Sequence, residues 1–225
     1  MTISKVTELL NSYLASSDES FLTKLNEALL ECNSDDESTR SKINDQCKEE
    51  FGDNLWNYLE DNTRELIIGS FADIEHQKEH NLNASSSFFN IASSLESELK
   101  SKIFNDFNAY LKKRIDKYSG DYDRQYLEAL NSDEGFVPAA MMVRKLKYMK
   151  NPKGISKDLR NFLEGNWDIY SLSDDDKIND AFSLIKIRND NAHGAINKQY
   201  DEWSSTEKLT IKVLRWFIFS CDCFD

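Results

Sequence analysis

The sequence predicts an all-α protein. Only 7 Gly and 2 Pro punctuate 225 residues, too few turn formers for a β-sandwich, a barrel or a doubly wound sheet. Apolar residues recur at three- and four-residue spacing along most of the chain, the period of helices that bury one face. A chain this long, 40% hydrophobic, can close a sizeable core. No apolar run approaches the length of a membrane span, and the opening MTISKVTELL lacks the apolar centre of a signal peptide. Cys32, Cys47, Cys221 and Cys223 contain no C-x-x-C pair and make no disulfide framework. These features lead us to expect a soluble, cytoplasmic protein with no membrane partner.

The elements follow in order. Val6, Leu9, Leu10 and Leu14 keep helical spacing, and Ser17-Asp18 offers a cap before Phe21, Leu22, Leu25 and Leu29. Ser34-Asp35-Asp36-Glu37-Ser38 reads as a solvated linker or helix start, followed by a weak helix through Ile43, Cys47 and Phe51. Trp56, Leu59, Leu66, Ile67, Phe71 and Ile74 predict one helix from Leu55 to Ile74, broken at Asn81-Leu82-Asn83. That break sets the expected domain boundary: an acidic N-terminal helical region over 1–83, and a helical domain over 84–225 that folds by itself.

The second region opens with the strongest periodicity in the chain. After the candidate cap Ser85-Ser86-Ser87, residues Phe88, Ile91, Ala92, Leu95, Leu99, Ile103, Phe107, Leu111 and Ile115 predict a helix of nearly thirty residues, ended at Tyr118 to Asp121. A shorter helix runs from Pro138 through Met141, Met142, Leu146 and Met149 to Asn151-Pro152. Ile155 to Leu163 forms the next, closed by Gly165. Asp174-Asp175-Asp176 then opens a helix through Ile178, Ala181, Phe182 and Ile185, which is expected to fray at Asn189-Asp190-Asn191. Ser204-Ser205-Thr206-Glu207 has the capping-box pattern for the last helix. Its apolar residues, Leu209 to Phe219, are spread over every face, as in a central helix or a subunit contact.

Charge is unevenly distributed. Residues 1–99 hold 7 Lys and Arg against 20 Asp and Glu, residues 100–160 hold 14 against 8, and residues 161–225 hold 7 against 12. A net charge of −12 argues against non-specific nucleic-acid binding, which depends on neutralising phosphates. It leaves room for a local basic groove, and Lys112, Lys113, Arg114, Lys145 and Lys147 in the basic middle third are the candidate phosphate-backbone contacts.

Three histidines can be weighed singly. His76-Gln77-Lys78-Glu79-His80 has the H-x-x-E-H arrangement of inverted zinc proteases. Its surroundings are charged and offer no third ligand, so no metal is expected, and a metallohydrolase is the least favoured alternative. No phosphate-cradling glycine loop or G-x-S-x-G element occurs. Residues 187–194 read Ile187-Arg188-Asn189-Asp190-Asn191-Ala192-His193-Gly194. In unbroken helix, five residues advance about 7.5 Å and turn about 140°, so Arg188 and His193 would diverge along one groove. A loosened turn would let them converge. Arginine supplies a permanent planar cation for a phosphate, and histidine exchanges protons near neutral pH. From spacing alone, an arginine closing a helix with a histidine in the following turn is the favoured reading.

The string IRNDNAHG resembles the R-x4-6-H motif of the HEPN superfamily, in which Asn, Asp or His typically follows the arginine. The wider arrangement is similar: a long amphipathic helix with an early acidic turn at Ser93-Ser94-Leu95-Glu96, a shorter helix from Met141 to Met149, the motif helix, and an apolar last helix. The resemblance covers 84–225. It implies a HEPN-like four-to-five-helix bundle with an additional N-terminal helical region, often dimeric, and in many members a metal-independent endoribonuclease without a cofactor. Such members recur in toxin–antitoxin, abortive-infection and RNA-targeting CRISPR systems, while others have lost catalysis. On this resemblance Arg188 would hold the scissile phosphate, His193 would act as general acid or base, and Asn189 and Asp190 would orient the pair. A homodimer bringing two Arg188/His193 pairs together is expected. The alternative is a catalytically silent interaction protein, an antitoxin or a subunit of a defence complex, whose acidic first third meets a protein partner.

Overall fold

A computed structural model describes residues 38–80, 83–118, 121–132, 135, 137–192 and 202–221. The helices expected before Ser34, the break at Asn81-Leu82, and His193, Gly194, Cys32 and Cys223 lie outside the described residues. The chain divides into two compact units, Met1–Glu49 and Glu50–Asp225. In the first, residues 38–49 are helical. In the second, helices succeed one another: α1 (Asp53–Tyr58), α2 (Asp61–Glu79), α3 (Ser85–Leu99), α4 (Asn105–Lys112), α5 (Asp121–Asn131), α6 (Ala139–Lys147), α7 (Ile155–Leu163), α8 (Ile169–Leu172), α9 (Asp175–Ala192) and α10 (Trp203–Ile218). There is no strand among the described residues, only a single antiparallel bridge between Trp167 and Cys221. The protein is all-α. No helix of the described residues is long and apolar enough to cross a membrane.

α3 is the centre of the second unit. It packs on α2, α9, α10 and α6, and Phe88, Ile91, Ala92, Leu95 and Leu99 are buried along it. From Ile91 onward the apolar residues step by four: Ile91, Leu95, Leu99, Ile103, Phe107 and Leu111, all fully buried. A four-residue repeat drifts about 40° per step on a 3.6-residue helix. One π-helical turn, Lys100–Phe104, joins α3 to α4. Its extra residue per turn takes out part of that drift and keeps Phe107 and Leu111 inside.

The sequence-based domain boundary at 83 differs from the structural one. α2 packs on α3 and buries Ile67, Ile68, Phe71 and Ile74, so the compact unit begins at Glu50. Nor do α1 and α2 form the single helix expected over Leu55–Ile74. The chain is extended at Leu59 and Glu60 (ψ 144° and 152°). The reason is tertiary: the Glu60 amide donates to Glu98 Oε1 at 2.7 Å, and Arg64 Nη1 donates to the Leu59 carbonyl at 2.7 Å. A carboxylate from α3 thus starts α2, which periodicity cannot foresee.

α5 and α8 are additional helices. α5 is anchored by Asp123, whose Oδ1 takes Lys145 Nζ at 2.6 Å and whose Oδ2 takes the Ile155 amide at 2.9 Å. The second bond caps the start of α7 beside Gly154, where φ is +51° and a Cβ would overlap the Asp123 carboxylate. Only glycine permits that approach.

α9 opens where expected, with Asp174 Oδ1 accepting from the Asp176 and Lys177 amides at 3.1 Å. The expected fraying at Asn189-Asp190-Asn191 does not occur, and α9 continues to Ala192. Asn191 is buried and its Nδ2 donates to the Ile187 carbonyl at 2.7 Å, a bond that ties the last turn down. The capping box at Ser204–Glu207 is also corrected. α10 begins at Trp203, with Ser205 Oγ donating to the Glu202 carbonyl at 2.7 Å and no side-chain cap.

Glu98 is fully buried, and among the described residues its Oε2 has no hydrogen-bond partner, only Lys102 Nζ at 3.6 Å. Burial pushes its carboxyl above the ordinary range, against the opposing pull of Thr63, the Glu60 amide and Lys102. A carboxyl raised in the folded state holds its proton more tightly there than in the unfolded chain, so it costs stability as pH climbs through the raised value. Stability should therefore fall as pH rises from the ordinary carboxyl value of 4.5 towards neutrality in the wild type, and fall less in Glu98→Gln, which keeps the Oε1 acceptor. Thermal melts at stepped pH check this, and parallel curves would contradict it. A second test concerns the boundary. The fragment 84–225 loses the α2 cover of α3 and should melt without cooperativity, whereas 50–225 should melt sharply.

Candidate functional site

The motif arginine sits in regular helix. α9 carries Arg188 one turn before its C-terminal end, opposite α3. α3 presents Phe89 and Glu96, seven residues and two turns apart, which places both on one side of the helix. The Arg188 guanidinium lies over the Phe89 ring, 5.2 Å from its centroid. Its Nη2 reaches Glu96 Oε2 at 3.4 Å and its Nη1 donates to Asn189 Oδ1 at 3.0 Å. Glu96 is itself 8% exposed and takes Lys100 Nζ on Oε1 at 2.7 Å. A buried carboxylate between two cations, with an aromatic face alongside, fixes the direction of the guanidinium.

The fork is held without being saturated. Arg188 Nε is buried with no hydrogen-bond partner among the described residues, and so is Asn191 Oδ1 one turn later. Such orphaned groups cost about 1–3 kcal/mol each and mark places where a further partner would be favourable. Asn189 is exposed and Asp190 half-buried. His193, the expected proton carrier, lies outside the described residues.

Four helix ends meet here. Ile74 near the end of α2, Ala84 and Phe88 at the start of α3, Ile187 on α9 and Trp203 at the start of α10 form one apolar cluster. The Trp203 ring meets Phe71 and Phe88 edge-on, each at 5.5 Å. Gln77 locks α2 to α3 through Ser86 Oγ at 2.7 Å and Ser87 Oγ at 2.9 Å. His76 and His80, close by on α2, stack with centroids 4.4 Å apart, and His80 Nδ1 lies 2.9 Å from the His76 carbonyl. No group of three or more His, Cys, Asp or Glu suited to a metal occurs among the described residues.

The sequence-derived basic contacts do not gather at this end. Lys112 and Lys113 are exposed at the far end of α4, sixteen residues and about 24 Å beyond Glu96 along the same helical run. Arg114 folds back over the Tyr110 ring at 3.9 Å. Lys147 lies near Asp175, whose carboxyl is held low first by Lys150 at 2.8 Å and less by Lys147. Asp175 begins α9, thirteen residues and about 20 Å from Arg188.

Lys145 needs correction outright. It is 5% exposed, paired to Asp123, and its Nζ sits 5.5 Å from the Tyr126 ring centroid. It staples α6 to α5 and cannot meet a backbone phosphate.

Sequence reasoning passed over Phe89, which falls off the main apolar stripe, and the unpartnered Oδ1 of Asn191. Glu96 stood out only as an acidic residue. Its position seven residues after an aromatic was the available signal. Comparison with family models, curated proteins and solved structures finds no match for this chain.

Removing Lys145 leaves Asp123 buried against an empty site. Lys145→Ala should cost about 3–5 kcal/mol of stability, read by denaturant unfolding. Lys112→Ala with Lys113→Ala should stay within about 0.5 kcal/mol of wild type. Equal unfolding midpoints for the two variants would contradict this placement of Lys145.

Proposed function

We propose that the chain is a metal-independent RNA endonuclease of the HEPN type, acting as a homodimer in a prokaryotic anti-phage, abortive-infection or toxin–antitoxin system. The observation that carries this reading is the Arg188 guanidinium, steered by Glu96 and Phe89 near the end of α9 with its Nε donor unpartnered. A planar cation held in one direction is what a scissile phosphate requires, since its extra charge develops in the transition state.

The chemistry needs no cofactor. An imidazole of His193 takes the proton of the ribose 2′-OH, and the 2′-oxygen attacks the adjacent phosphorus. The bond to the 5′-oxygen breaks, and that oxygen leaves with a proton from the second His193 of the dimer. The products are a 2′,3′-cyclic phosphate and a 5′-hydroxyl. Arg188 neutralises the phosphorane charge, with Asn189 orienting its fork and Asp190 flanking it. Because the 2′-OH is the nucleophile, DNA is spared.

One observation favours a second reading, the silent interaction protein. Glu96 already neutralises Arg188, as in a bundle whose arginine serves packing alone. Labelled single-stranded RNA incubated with and without EDTA separates the readings. Cleavage that survives EDTA and leaves cyclic phosphate ends is expected, absence of cleavage would favour the silent protein, and cleavage abolished by EDTA would point to metal chemistry.

His193→Ala should lower cleavage about 10²–10⁴-fold with an unchanged helical spectrum and melting curve. If the variant unfolds, His193 serves packing instead. Mixed with wild type, it should poison activity beyond simple dilution, because a mixed dimer holds half a site. Sedimentation of a fully active monomer would overturn the shared site.

A further inference from the structure

A groove of about 480 Å³ runs between α8, the first turn of α9 and the outer side of α10. Four of its eight lining residues are cations, Lys177, Lys208, Lys212 and Arg215, and none is acidic. In a chain of net charge −12 such a surface is the reverse of the average. Lys208, Lys212, Arg215 and Phe219 fall at i, i+4, i+7 and i+11, so α10 and the residue that caps it carry them as one exposed stripe. Neighbours on it stand about 5–6 Å apart at Cβ.

The groove is built, with a rigid floor. Trp216 Nε1 donates to the Ser171 carbonyl at 2.8 Å, Ser171 Oγ meets Ser220 Oγ at 2.8 Å, and the Asp168 amide donates to the Ser220 carbonyl at 2.8 Å. Phe219 stands at the rim, 44% exposed. Lys212 is balanced in part by Asp180 at 2.7 Å, and Arg215 Nη2 donates to the Phe51 carbonyl at 3.3 Å. Lys177 and Lys208 hold no side-chain hydrogen bond or ion pair among the described residues.

We propose that this groove binds a single-stranded segment of RNA, with phosphates along Lys208, Lys212 and Arg215 and a base stacked on Phe219. The choice of RNA rests on the ribonuclease reading above; the charge and the aromatic rim stand independently of it. A row of cations beside an exposed ring matches a flexible phosphodiester strand whose bases are free to turn onto an aromatic face. A duplex hides its base faces, and an acidic peptide has no use for the ring.

The two ends of the groove adjoin different elements. Past Arg215 and Phe219 lies a second cleft, which those two residues line together with Phe51 to Leu55. In the other direction the stripe ends at Lys208, five residues and about 7.5 Å along the helix from Trp203. Trp203 and Ile187 both pack on the apolar cluster of Ile74, Ala84 and Phe88, and Phe88 and Ile187 are next in sequence to Phe89 and Arg188. On this proposal the Lys208 end of the groove is the one nearer the motif arginine.

The test uses a short fluorescent single-stranded RNA, 2′-O-methylated throughout so that it cannot be cut, titrated with the full chain and followed by anisotropy between ~50 and 200 mM salt. Wild type should saturate at micromolar protein. The variant Lys177→Gln, Lys208→Gln, Lys212→Gln, Arg215→Gln should bind more than tenfold more weakly, with a log–log salt slope shallower by about 3. Phe219→Leu should lose fivefold or more with the slope kept. If the quadruple variant melts early, Lys177→Gln with Lys208→Gln, which breaks no described contact, should still lose fivefold. No binding by wild type, or wild-type affinity in the charge variants, overturns the proposal. Binding without cleavage of ordinary RNA keeps the groove and sinks the ribonuclease reading. Cleavage by the quadruple variant with wild-type KM does the reverse.

Discussion

Two carboxylates, Glu96 and Glu98, ride on the helix that the other long helices cover, and a buried carboxylate must be answered by charge or hydrogen bonds. Glu98 is answered by the Glu60 amide and by Lys102, and that answer decides where α1 stops and α2 starts. Glu96 is answered by Lys100 and Arg188, and that answer decides where the motif arginine points. The two residues are next-but-one neighbours and lean to different sides of α3. One helix thereby sets both the entry of the hairpin that covers it and the orientation of the candidate site. Replacing Glu98 by an apolar residue would take the acceptor from the Glu60 amide, and replacing Glu96 would take the carboxylate from Arg188 Nη2, so these positions tie local geometry to the whole bundle.

What could be read from the sequence was what depends on periodicity. The all-α class, the run Ser85–Lys112, the helices at Ala139–Lys147 and Ile155–Leu163, and the acidic opening of α9 all follow from spacing and end signals. What could not be read was set by contacts across the chain. The break at Leu59–Glu60 depends on a carboxylate 38 residues away. The persistence of α9 through Asn189–Ala192 depends on the burial of Asn191, against the intrinsic preference of those residues. Lys145 looked like a surface lysine because its partner, Asp123, is 22 residues away in a helix that periodicity did not pick out. At the candidate site, Arg188 was legible from its motif, while its partners on α3 were not.

The last helix shows how a hydrophobic tally can mislead. Its apolar residues suggest coverage on every side, yet Lys208, Lys212 and Arg215 keep one stripe exposed and polar. Val213, Leu214, Trp216, Phe217 and Ile218 are buried within the subunit itself. An apolar excess on α10 therefore gives no independent reason for a dimer. The reason that remains is the proposed reaction, which would call for a second imidazole at the phosphate.

On the proposed reading, an acidic protein that handles RNA has an electrostatic problem to solve, and the arrangement of charge here would offer a solution. At about 0.15 M salt, charges act over roughly 8 Å, so a strand in the groove of α10 feels Lys177, Lys208, Lys212 and Arg215 far more than the distant excess of carboxylates. Elsewhere the net charge of −12 repels the same strand. On that reading the acidic surface would suppress binding in other registers, and the groove would favour the one that runs along Lys208, Lys212 and Arg215. A uniformly basic protein would bind RNA more tightly but would hold most of it away from the reacting group. Placement, more than affinity, is what this distribution of charge supplies.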